Sequence, residues 1–121
     1  MVKALFDSNI LIDQLQGVEA ARLEIARYDD RAVSIVTWIE ILVGAPPASL
    51  SAVRAFLESF ATIGVERAVA EEAAALRRAH RVKLPDAVIW ASARLEGRLL
   101  VTRNTKDFPA NDPSVRHPYS L

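Results

Sequence analysis

The sequence predicts an α/β fold, a central parallel β-sheet flanked by helices on both faces. Short, mostly apolar runs alternate along the chain with stretches of helical periodicity, the pattern of strands joined by right-handed helical crossovers. The 121 residues, 51% hydrophobic and 25% charged, suffice for one hydrophobic core and contain no internal repeat, linker or low-complexity segment. A single domain over residues 1–121 is expected.

The first run, Val2-Lys3-Ala4-Leu5-Phe6, ends abruptly in Asp7-Ser8-Asn9, as a buried strand leading into a helix-capping turn does. Ile10-Leu11-Ile12 and Leu15 fit a short helix closed by Gly17, and Val18 to Tyr28 sets Ala, Leu and Ile against Glu and Arg at helical spacing. Asp29-Asp30 mark a turn, Ala32-Val33-Ser34-Ile35 a second strand, and Thr37 to Val43 a helix closed by Gly44 and stopped by Pro46-Pro47. A helix from Ser49 or Ser51 to Ser59 follows, then a short strand, Thr62-Ile63-Gly64-Val65, weakened by its glycine. Glu66 to His80 is the strongest helix signal, with acids in its first turns and bases in its last, as the helix dipole favours. Pro85 opens the apolar helix Ala87 to Ala93, closed by Gly97. Leu99-Leu100-Val101-Thr102 reads as a buried strand and Val115-Arg116-His117 as a last edge strand.

Zero cysteines exclude thiol catalysis, a Cys-ligated zinc module and a disulfide framework. Their absence fits a reducing compartment, and a cytoplasmic location is expected. No run reaches the roughly 20 apolar residues of a membrane span, since Ala32 to Val43 is short and carries Glu40, and Asp7 and Asp13 interrupt any export signal. Fifteen basic residues balance 15 acidic ones, which argues against a basic carpet for nucleic acid. The halves differ: residues 1–60 carry 5 basic and 8 acidic residues, and residues 61–121 carry 10 and 7.

In open α/β sheets, ligands bind beyond the carboxyl ends of the strands, so acids at those ends are the ones to inspect. Asp7 ends the first strand, Glu40 lies in the helix after the second, Asp86 opens the apolar helix, and Asp107 lies just beyond the fourth strand with Asn104 as a polar neighbour. Glu40 sits between Trp38-Ile39 and Ile41-Leu42-Val43, a setting in which an unpaired carboxylate is costly. Each acid also has an ordinary reading: Thr37-x-x-Glu40 matches a capping box, and Asp7 and Asp86 suit turns or helix caps. As a group they repel one another, and hard Mg²⁺ or Mn²⁺ ions with oxygen ligands relieve that repulsion. Such ions lower the pKa of water and stabilise charge on a phosphoryl group, which is the chemistry of phosphodiester hydrolysis. No rival catalytic set is present: His80 and His117 lack metal-ligand spacing, and there is no Gly-rich phosphate loop. His80, beside Arg77, Arg78, Arg81 and Lys83, either attracts a nucleic-acid backbone or is a solvated helix C-terminus.

Four stretches together resemble the PIN-domain ribonucleases, in particular the VapC-like toxins of toxin–antitoxin pairs. They are Leu5-Phe6-Asp7-Ser8-Asn9-Ile10-Leu11-Ile12, then 33–44 around Glu40, then Pro85-Asp86-Ala87-Val88-Ile89-Trp90-Ala91-Ser92-Ala93, and Leu100-Val101-Thr102-Arg103-Asn104-Thr105-Lys106-Asp107-Phe108. The resemblance implies an Mg²⁺- or Mn²⁺-dependent endoribonuclease in which Asp7, Glu40 and Asp86 bind metal and Ser8 supports Asp7 from its capping position. The fourth acid falls at Asp107 or its place is taken by Asn104; Asp107 is favoured, with Asn104 and Thr102 supporting. Hydrolysis would leave a 5′-phosphate and a 3′-hydroxyl. Arg103 and Lys106 either position the RNA backbone or are ordinary surface charge. The resemblance further implies a homodimer and a cognate antitoxin whose segment blocks the acidic cleft. The Ile39-Ile41-Leu42-Val43 face and the Ala87 to Ala93 run are each core or interface, with core favoured for Trp38 and Trp90.

Two other functions compete. A haloacid-dehalogenase-like phosphatase would use Asp7 as nucleophile, but it wants a second acid where Asn9 stands and a cap domain for which this length leaves no room. A non-catalytic RNA- or protein-binding PIN domain would lack part of the acid set.

Overall fold

The computed structural model describes residues 2–121. The elements in chain order are β1 (Lys3–Phe6), α1 (Ser8–Leu15), α2 (Glu19–Ala26), β2 (Asp30–Ser34), α3 (Ile35–Gly44), a 3₁₀ turn (Pro47–Ser49), α4 (Leu50–Glu58), β3 (Ala61–Ile63), α5 (Arg67–His80), α6 (Leu84–Leu95), β4 (Leu99–Val101) and β5 (Val115–Arg116). The strands form one five-stranded sheet in the order β3-β2-β1-β4-β5, and every pairing is parallel. The fold is therefore α/β, as the alternation of runs predicts.

Register explains the two layers of core. Leu5 pairs with Leu100 and Phe6 with Val101, and because side chains alternate between faces, odd and even residues of β1 serve different helices. Leu5 and Leu100 pack with Val69, Ala73 and Leu76 of α5 and the Ala87–Ala93 run of α6. Ala4, Phe6, Val33 and Val101 pack with Ile10, Leu11, Ile25, Ile41, Val53 and Leu57 on the other face. Every residue from Ala87 to Ala93 is buried, because α6 is enclosed by α5, α3, β2 and β4. That run is core. Among the described residues, no helix is long and apolar enough to cross a membrane.

Several boundaries differ from the sequence reading. β2 stops at Ser34, whose hydroxyl accepts the Val36 N–H and caps α3. That cap turns Ile35 and Val36 helical despite their β-branched side chains. Asp30, read as a turn, already pairs with Lys3. β3 runs over Ala61–Ile63 rather than 62–65. α6 starts at Leu84 with Lys83 as its N-cap residue and Pro85 in the first turn, where a missing N–H costs nothing. Gly17, at φ +81°, makes the left-handed bend between α1 and α2 that a side chain would resist.

Candidate active site

The chain leaves β1 in one direction through β2 to β3, and the other arm of the sheet runs through β4 to β5. The crevice between the carboxyl ends of β1 and β4 is thus the place where a ligand can enter. Asp7 follows β1 and the 102–107 segment follows β4, so the topology itself brings these groups together.

Asp7 is 4% exposed. It is the N-cap of α1: its Oδ1 accepts the Ser8 N–H at 2.7 Å, and its Oδ2 accepts the Thr102 hydroxyl at 2.7 Å and the Asn9 amide at 3.2 Å. Burial pushes the Asp7 carboxyl upward and the Glu40 charge adds to this, against the pull of Thr102, Ser8 and Asn9. Asn9, which stands where a phosphatase would need its second acid, also donates to Thr102 Oγ1 at 3.3 Å. Ser8 is not the cap. Its hydroxyl instead donates to Glu40 Oε1 at 2.5 Å and stands 3.1 Å from Thr37 Oγ1.

Glu40 corrects two expectations. Since α3 begins at Ile35, Thr37 lies within the helix and is fully buried, so it heads no capping box. Glu40 itself is exposed rather than enclosed by its apolar neighbours. Ile41 faces the core while Ile39 and Val43, 58% and 82% exposed, point away; the helical period places Glu40 on the boundary of the two faces.

Asp86, in the first turn of α6, has its carboxyl pushed up to about 6. Burial is the largest cause, followed by the charges of Asp7, Asp107 and Glu40, with Asp107 also within hydrogen-bond reach. The charges of the other three acids are thus felt at Asp86. Asn104 and Asp107 act together: the Asn104 amide donates to Asp107 Oδ2 at 3.0 Å, while its Oδ1 accepts the Lys106 and Asp107 N–H groups at 3.2 and 3.0 Å. Asn104 therefore caps the turn, leaving the Asp107 carboxylate free of that task. Phe108 anchors the segment by inserting beside Trp90, the two rings edge to face at 5.6 Å.

The basic candidates divide. Arg103 turns its guanidinium onto Asp13 of α1, whereas Lys106 is exposed. His80 packs on Trp90 with ring centroids 4.8 Å apart. Trp38 donates to Thr62 Oγ1 at 2.9 Å and is only partly buried.

Four carboxylates with oxygen donors suit a hard divalent cation, and the mutual repulsion that raises Asp86 is what such a cation relieves. As the side chains stand, no three of the described His, Asp or Glu groups form a closed metal cage. An apolar groove of about 530 Å³, lined by Ile12, Leu15, Ile41, Ala45 and Val53, opens beside Glu40.

An open parallel sheet with carboxylates gathered where its strand order reverses defines an acid-cluster α/β protein. The chain belongs to the PIN domain family, whose pattern it matches over residues 4–112. It is 37% identical to Ribonuclease VapC10 of Mycobacterium tuberculosis over 125 aligned positions, covering 97% of this chain and 93% of that protein. A solved toxin–antitoxin complex from Klebsiella pneumoniae contains a chain 41% identical, with a TM-score of 0.92 over 98% of this chain and 100% of that one. The DNA-bound VapBC of Salmonella typhimurium, 23% identical, shares the fold with a TM-score of 0.80 over 96% of each chain.

Proposed function

We propose that this protein is the ribonuclease toxin of a toxin–antitoxin pair, hydrolysing RNA phosphodiester bonds at Asp7, Glu40, Asp86 and Asp107 with Mg²⁺ or Mn²⁺. The observation that carries the reading is the convergence of Asp7, Glu40 and Asp107 on the fourth acid, Asp86, at the crevice between β1 and β4. Its likeness to a named ribonuclease over nearly its whole length supports RNA as substrate.

A divalent ion bound there would lower the pKa of water and stabilise the charge developing on the phosphoryl group. Asp7, fixed by Thr102, Asn9 and the Ser8 N–H, would supply a well-held oxygen; Asp86 and Asp107 would supply others, and Glu40 is aimed by Ser8. Preorganised carboxylates of this kind do not reorganise during the reaction, which is where such sites gain most. Exposed Lys106, beside Asp107, is placed to meet the RNA backbone.

A cognate antitoxin fits the same surface. A segment lying in the groove beside Glu40 would bury Ile12 and Leu15 and block the rim. The Ile39 and Val43 side chains of α3 suit a homodimer contact. The proposal also places the protein in the cytoplasm.

The test is cleavage of RNA by the purified protein with Mg²⁺ or Mn²⁺, arrest by EDTA, and loss in Asp86→Asn purified identically. Metal binding without cleavage of broad RNA substrates would favour a binding module.

A further inference from the structure

Asp13 lies on α1, 4% exposed, and takes no part in the acidic rim. A carboxylate so enclosed must be paired. Arg103 lays both prongs of its guanidinium on it, Nε to Oδ2 at 2.5 Å and Nη2 to Oδ1 at 3.0 Å, and the Tyr119 hydroxyl donates to Oδ2 at 2.8 Å.

Arg103 sits in the middle of the segment that carries the site. Its own N–H donates to Asn9 Oδ1 at 3.1 Å. On one side Thr102 donates to Asp7 Oδ2; on the other Asn104 gives its N–H to Thr102 Oγ1 at 3.0 Å and its side-chain amide to Asp107. A continuous route of hydrogen bonds therefore runs from Tyr119 through Asp13 and Arg103 to the groups that orient Asp7 and Asp107. Residues 102–114 contain no helix or strand, and beyond the backbone bonds of Thr102 N–H to the Arg116 carbonyl and Phe108 N–H to the Asn104 carbonyl, side chains anchor residues 103–107.

We infer that Asp13, Arg103 and Tyr119 form a positioning clamp that fixes the 102–107 segment against α1 and so sets the spacing of Asp107 and Asp7 at which a divalent cation binds. The inference rests on the metal-dependent reading above. A two-pronged guanidinium–carboxylate pair fixes orientation as well as distance, which a lysine in the same place does not do.

The experiment is calorimetric titration of the whole protein with Mn²⁺, without RNA, together with thermal melts in EDTA, for wild type, Asp13→Asn, Arg103→Lys, Tyr119→Phe and Asp86→Asn. Groups that orient metal ligands affect affinity by about 10–100-fold, so Asp13→Asn and Arg103→Lys are expected to weaken Mn²⁺ about tenfold. Tyr119→Phe, which leaves the Arg103 pair intact, is expected to weaken it about threefold, and its effect should vanish in the Asp13→Asn background because it acts through Asp13. If Asp13→Asn does not fold, Arg103→Lys and Tyr119→Phe decide. Lower melting temperatures with Mn²⁺ affinity unchanged in the folded variants would overturn the clamp alone, leaving a pair that only stabilises. Absence of Mn²⁺ binding by wild type would overturn the metal reading and the clamp with it.

Discussion

Ser8 Oγ donates to Glu40 Oε1 at 2.5 Å across 32 residues of sequence, joining the first turn of α1 to the middle of α3. Glu40 is exposed, so this bond rather than packing aims its carboxylate. Thr37, fully buried beneath, stands within reach of the same hydroxyl and holds it in place. A bond to an ionised acceptor is among the stronger side-chain contacts, and here it orients a group that would otherwise sample solvent.

Ser8→Ala should therefore weaken Mn²⁺ binding about tenfold while lowering stability by only about 1 kcal/mol. Adding Ser8→Ala to a Glu40→Gln background should change affinity little, because Ser8 acts through Glu40. Calorimetry and thermal melts on the two single variants and the double variant check both statements.

Asp86 gives a pH signature. Its folded pKa, about 6, lies above the ordinary 3.8, so between those values the folded protein binds more protons than the unfolded chain. The destabilisation from this group is absent below about pH 4 and complete above about pH 6. Relative to Asp86→Asn, which cannot titrate, wild type in EDTA should gain stability as the pH falls from 7 to 5, and the variant should melt higher at pH 7. Cleavage should decline as Asp86 protonates, and added Mg²⁺ should shift that decline to lower pH because metal and proton compete. Melting curves and rates over pH 4–8 test this.

Thr102 is fully buried, donates to Asp7 and accepts the Asn104 N–H. Thr102→Val keeps its shape and removes these two bonds together with the one from the Asn9 amide. The expected cost is about 2 kcal/mol, a fall of roughly 8 °C in melting temperature, with Thr102→Ser restoring most of it. Differential scanning calorimetry measures the difference.

With Arg103 committed to Asp13, nearby cations outside ion pairs become the candidates for RNA contact. Arg78, Arg81 and Lys83 are exposed, and Lys83 is the residue that caps the helix bearing Asp86. Replacing Arg81 and Lys83 by Gln should weaken RNA binding in EDTA and lower the slope of log K against log salt by about 0.7 for each lost phosphate contact. An unchanged slope would leave these residues as a solvated helix end.

Much of this was legible in the sequence. A run of apolar residues ending in Asp7 marks a strand end with little ambiguity, and the alternation of runs and helices implied the parallel sheet that puts Asp7 beside the segment after β4. The start of α3 was not legible, because Ile35-Val36-Thr37 has strand propensity and a single capping bond from Ser34 overrides it. The exposure of Glu40 depended on that start, since moving a helix by two residues rotates every side chain. The pairing of Asp13 with Arg103, separated by 90 residues, leaves no mark in periodicity. A lone acid among apolar neighbours on α1 was the only sign that Asp13 needed a partner.

The central claim is that the four acids carry metal-dependent hydrolysis of RNA. Its most direct measurement is the end chemistry of the products formed from a 5′-labelled RNA with Mg²⁺ by wild type, with Asp86→Asn alongside. The account predicts 5′-phosphate and 3′-hydroxyl ends from wild type and no cleavage by the variant. Equal cleavage by both proteins, or 2′,3′-cyclic phosphate ends, would contradict it.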